Sequence, residues 1–103
     1  MMVIGTQIVE QYFARHAGHQ GMRAARAQFD VWLTIASRAM WQGPEDVKRS
    51  HPKASILKGS RAVFNIKGND FRLVVAVNYR AGVVAIRFFG SHREYDKIDV
   101  ETV

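Results

Sequence analysis

The chain has no cysteine and only two prolines among its 103 residues. Without cysteine there are no disulfide staples, no thiolate metal sites and no cysteine nucleophile, as suits a reducing, cytoplasmic setting. No run of about 18 apolar residues occurs, so no segment reads as a membrane span. Residues 1–15 lack the basic start and long apolar centre of a secretion signal. Internal repeats and low-complexity tracts are also missing. Acidic residues are scarce: 9 Asp and Glu stand against 15 Lys and Arg, for a formal net charge of +6. A field of that sign draws polyanions, nucleic acid foremost, and would equally serve an acidic protein partner.

What remains is enough for one domain, residues 1–103, with 48% hydrophobic residues to build a modest core. The first half has helical periodicity. Thr6 is placed to cap a helix over Gln7 to His16, with Ile8, Val9, Tyr12 and Phe13 on one stripe. Gly18 and Gly21 interrupt it. A longer helix over Gly21 to Met40 carries Met22, Ala25, Phe29, Trp32, Leu33 and Ala36 at helical spacing. Gly43-Pro44 opens a short helical turn that Pro52 closes. Trp32 and Trp41 read as packing residues.

The second half reads as strand. Arg61 to Lys67, Asp70 to Arg80 and Val83 to Phe89 are rich in Val, Ile and Phe, and Gly68-Asn69 and Ala81-Gly82 form two-residue turns between them. The fold class is therefore α+β, with N-terminal helices packed on a small antiparallel meander. Alternation assigns Phe64, Leu73, Val75, Ile86 and Phe88 to the face under the helices. Arg61, Asn65, Lys67, Arg72, Ala76, Arg87 and Phe89 take the other face. The two turns set Asn65 opposite Arg72 and place Arg61 and Arg87 on either side of Ala76.

Arginines on one face suit phosphate, because the planar guanidinium fork binds it through two hydrogen bonds. A solvated sheet face has the same appearance, and spacing alone does not separate the two. The four histidines are scattered without paired acidic ligands, and phosphate-loop, dinucleotide and serine-nucleophile motifs are absent. RNA cleavage by this chain would need neither metal nor cofactor. It would use the RNA 2′-hydroxyl as nucleophile, with an acid, a base and cations on the phosphate. His92 directly follows a strand, and histidine is the residue type most suited to proton transfer, which makes it the acid–base candidate, although an isolated surface histidine has the same signature. Tyr95, three residues on, would share its helical face.

Several blocks resemble a known family. Ala54 to Leu57, Arg61 to Asn69 and Phe71 to Tyr79 are similar to the centre of HigB-type toxins of the RelE superfamily. Ile86 to Asp96 resembles that family's C-terminal signature, with Ser91 where a threonine is usual. Trp32 and Trp41 to Lys48 fall in the same order, and the likeness is looser over Gly18 to Arg38. The resemblance implies a RelE-like fold ending in a short C-terminal helical segment. It implies an mRNA endoribonuclease acting on the translating ribosome. It also implies a HigA-type helix-turn-helix antitoxin that neutralises the toxin and carries it to operator DNA. Carried over by position, His92 takes proton transfer, Arg72 and Arg87 the scissile phosphate, and Arg61 and Lys67 the RNA backbone; Asn65 and Tyr95 complete the set. Two rival readings share the basic face: a non-catalytic RNA- or ribosome-binding growth inhibitor, and a domain that binds an acidic protein.

Overall fold

The computed structural model describes residues 1–103. The elements run β1 (Met2–Ile4), α1 (Thr6–Arg15), α2 (Met22–Arg38), α3 (Pro44–Ser50), β2 (Ser55–Leu57), β3 (Arg61–Ile66), β4 (Phe71–Asn78), β5 (Val83–Ser91) and α4 (His92–Tyr95). The α+β class stands as expected. The helices cover one face of a five-stranded sheet ordered β1-β5-β4-β3-β2.

That sheet is mixed rather than a plain antiparallel meander. β1 runs parallel to β5, with Val3 opposite Val84. β2 adds an antiparallel edge to the start of β3. Both strands are three residues long, too short for alternation to announce them.

α1 starts one residue earlier than expected and is not capped by Thr6. Gly5 is its N-cap, in the left-handed region at φ 86°. The backbone crosses β5 closely there: a Cβ on Gly5 would lie 2.7 Å from the Ile86 carbonyl oxygen. Gly5→Ala is expected to destabilise by at least about 1–2 kcal/mol from the backbone conformation alone. A melting temperature within a degree of the wild type would contradict this contact.

The core lies between the helices and the sheet. Val9, Tyr12 and Phe13 of α1 and Ala25, Phe29, Trp32 and Ala36 of α2 are buried against Phe64, Leu73, Val75, Val84 and Ile86. Trp41 and Val47 extend it under α3. Pro44 occupies the first turn of α3, as expected, and Glu45 and Asp46 sit at the positive end of its dipole.

His51 follows α3 with its ring against Trp41 and Phe64, at centroid distances of 6.1 and 5.0 Å. Burial pushes the His51 imidazole below its usual value of 6.5. The unfolded chain therefore binds this proton more readily than the native one. The neutral ring contributes its full stability above about pH 6.5, and that contribution falls as pH drops toward the lowered native value. Urea titrations at several pH values should show stability declining below about pH 6.5, with a shallower decline in His51→Gln. Equal slopes in both chains would refute this.

The β3–β4 register is as expected, with Asn65 opposite Arg72 and Arg61 opposite Ala76. The β4–β5 register is not. The connection spans Tyr79–Gly82, closed by hydrogen bonds from the Gly82 N–H to the Asn78 carbonyl at 2.9 Å and from the Ala81 N–H to the Asn78 side-chain oxygen at 3.0 Å. A four-residue loop in place of two slides β5 by two residues, so Ala85 and not Arg87 faces Ala76. Val75 then pairs with Ile86 and Val74 with Phe88, which leaves Arg87 as an unpaired bulge residue.

The bulge inverts the alternation beyond it. Phe89, expected on the cationic face, is buried at 4% exposure, whereas Phe88 is only half-buried. The Phe89 ring stacks on Phe71 at 5.7 Å and meets Tyr12 at 5.2 Å and Phe13 at 5.3 Å.

Candidate active site

α4 is one turn long and follows β5 without a linker, so other groups must hold it. Ser91 caps it: the Glu94 N–H donates to the Ser91 hydroxyl at 3.1 Å and the Ser91 N–H donates to Glu94 Oε1 at 2.7 Å. The buried Tyr12 hydroxyl reaches across from α1 and donates to the same Oε1 at 2.8 Å. Burial, then the Glu94 hydrogen bond and charge, pushes the Tyr12 phenol up to about 12. Partial burial raises the Glu94 carboxyl, but the hydrogen bonds from Ser91 and Tyr12 and the charge of His16 outweigh it and leave the group below its usual value. Gly90 leaves no room to spare, since a Cβ there would lie 2.7 Å from the Phe88 ring and 3.1 Å from Glu94. The first turn of α4 is thus fixed from three sides, and His92 opens it.

His92 lines a cavity of about 600 Å3 together with Lys67, Asn69, Asp70, Arg93 and Asp96. The β3–β4 turn forms one wall. The His92 N–H donates to the Asp70 carbonyl at 2.9 Å, which ties that turn to the start of α4. Lys67 lies just past the end of β3 at φ 54°, and its ammonium donates to Asp70 at 2.8 Å. Its position in the turn aims Lys67 at this cavity rather than along the outer face as the strand pattern implied. His92 Nδ1 stands 3.2 Å from an Asp96 carboxylate oxygen. The cavity therefore brings together an imidazole, an ammonium and a guanidinium, each class suited to a phosphodiester.

The outer face of the sheet holds the other candidates. Arg72 pairs with Asn65 on one side and with Gly90 on the other, and its guanidinium donates to the Asn69 carbonyl at 3.0 Å. Asn65 itself is exposed. Arg61 and Arg87 do not flank Ala76, yet they meet. Arg61 Nη1 donates to the Val103 oxygen at 2.7 Å and Arg87 Nε donates to the same oxygen at 3.1 Å. Tyr95 is half-buried with its ring 6.5 Å from Phe88.

The structure thus gathers Lys67 and His92 in one cavity, Arg61 and Arg87 on one oxygen, and Asn65 beside Arg72 along the strands between. Sequence reasoning passed over Asp70, Arg93, Asp96 and the Tyr12–Glu94 bond. Two of these had a signal: Lys67 and Asp70 flank the expected Gly68-Asn69 turn and so face each other across the hairpin, and Asp96 is four residues from His92, a spacing at which side chains meet on a helical turn. The capping box at Ser91 and Glu94 was equally open to reading. Tyr12 had none, because its partner lies 82 residues away.

No curated protein matches this sequence. The family model that matches is HigB_toxin, described as the RelE-like toxic component of a toxin–antitoxin system, over residues 25–98. That span runs from within α2 through α4 and takes in His92, Lys67 and the cationic strands, and this chain therefore belongs to the HigB toxin family.

Proposed function

We propose that the chain is an mRNA endoribonuclease that needs no metal and inhibits translation, acting on mRNA at the ribosome in the cytoplasm. The observation that carries this reading is the shared cavity of His92 and Lys67 at the end of a sheet face bearing Arg61, Arg72 and Arg87. The reading assigns the chemistry to the RNA and to these residues. The 2′-oxygen attacks the adjacent phosphorus as its proton passes to a base. The P–O5′ bond breaks and the leaving oxygen takes a proton. The products are a 2′,3′-cyclic phosphate and a 5′-hydroxyl. His92 moves protons, Lys67 and Arg72 face the charge that builds on the phosphate, and Arg61, Arg87 and Asn65 hold the flanking backbone.

A toxin of this family implies an antitoxin partner. We take that partner to be of HigA type, a helix-turn-helix protein that brings the toxin to operator DNA. Mapping new RNA 5′ ends after induced expression tests the enzyme reading. In-frame cuts within translated messages support it, and growth arrest by soluble protein with no new ends sinks it. An unrelated enzyme encoded beside this gene, in place of a helix-turn-helix protein, would count against the proposed partner.

A further inference from the structure

Two guanidinium groups from different strands converge on a single oxygen of the chain itself. Arg61 leaves β3 and Arg87 leaves the bulge in β5, and both donate to the Val103 oxygen, at 2.7 and 3.1 Å. Arg61 makes a further bond to the Val100 carbonyl at 3.2 Å. Two cations on one acceptor describe a site for an anion. Guanidinium hydrogen bonds are strongest to charged oxygens, and a phosphodiester supplies two of these with the planar geometry that the fork matches.

The occupying segment is turned back on itself by local hydrogen bonds. The Asp99 carbonyl accepts the Thr102 N–H at 3.1 Å and the Val103 N–H at 3.0 Å, and its side chain accepts the Glu101 N–H at 3.0 Å. Asp99 and Glu101 give the segment negative charge of its own. No residue beyond Phe89 belongs to the hydrophobic core. The side-chain hydrogen bonds that tie the segment to the sheet come from the two arginines.

We propose that Arg61 and Arg87 form one subsite for a phosphodiester oxygen, and that Asp99–Val103 is an internal strap that closes this subsite in the free protein. The identity of the ligand as RNA rests on the ribonuclease reading; the closed subsite is a property of this chain. RNA reaches the two arginines only when the strap leaves, so the apparent affinity is the intrinsic affinity scaled by the open fraction.

The test is a titration of the full chain with a short 2′-O-methyl oligoribonucleotide, which keeps the phosphates but cannot be cleaved, followed by NMR. The amide signals of Val100 to Val103 are expected to move to unstructured positions in step with the Arg61 and Arg87 Nε signals. Removing residues 99–103 should tighten binding on the order of tenfold, the worth of one or two net hydrogen bonds. That gain should vanish when the deletion is combined with Arg61→Ala. Oligonucleotide binding that shifts both arginines while the strap amides stay in place overturns the proposal. So does a deletion variant of wild-type melting temperature that binds no more tightly. Release of the strap by inorganic phosphate, with no binding of the oligonucleotide, sustains the closed subsite and overturns RNA as its ligand.

Discussion

Replacing Phe89 with alanine is expected to cost about 3–5 kcal/mol of folding stability, while Phe88→Ala costs less than half as much. Phe89 is 4% exposed and touches the rings of Tyr12, Phe13, Phe29 and Phe71. Those rings come from α1, α2 and β4, so the cavity left by truncation cannot close by moving one element. Phe88 stands on the opposite face beside Tyr95. For a domain of this size the expected loss is a large share of the whole margin of roughly 5–15 kcal/mol. Urea midpoints of the two variants decide the matter. The reverse order of stability would mean that β5 runs without its bulge and that Phe89 faces outward.

His92→Gln is expected to lower RNA cleavage by about 10²–10⁴-fold, the usual worth of a general acid or base. Glutamine keeps a polar side chain of similar reach and cannot shuttle a proton. His92 is exposed and makes no contact that the core depends on, so the melting temperature should hold and oligonucleotide binding should change little. Arg72→Ala should lose binding and cleavage together. Full cleavage by His92→Gln would move proton transfer elsewhere, with Tyr95 the next group to test. Undiminished growth arrest without cut RNA would favour the non-catalytic inhibitor.

The parts legible in the sequence were those governed by local rules. The stripes of α1 and α2, Pro44 opening α3 and the Asn65–Arg72 pairing follow from periodicity and turn chemistry. His92 at the strand-to-helix junction followed from position alone. The rest depended on contacts far apart in the chain. The parallel pairing of β1 with β5 joins residues about 80 positions apart, and no pattern within three residues can announce that. A turn lengthened from two residues to four moved Arg87 away from Ala76. The bulge then reversed Phe88 and Phe89, because alternation fixes a face only while the ladder is unbroken. Arg61 and Arg87 were brought to one oxygen not by strand register but by residues 100 and 103 folding back over the sheet.

The bulge at Arg87 also separates what the fold requires from what it tolerates. Val75 pairs with Ile86 and Val74 with Phe88, so excising residue 87 would close the ladder with every neighbour still on its present face. Substituting most β5 positions disturbs packing; deleting this one regularises a strand. Arg87 is thus a residue that the architecture can do without, and a chain shortened by that single codon would report what its guanidinium does with the sheet left whole.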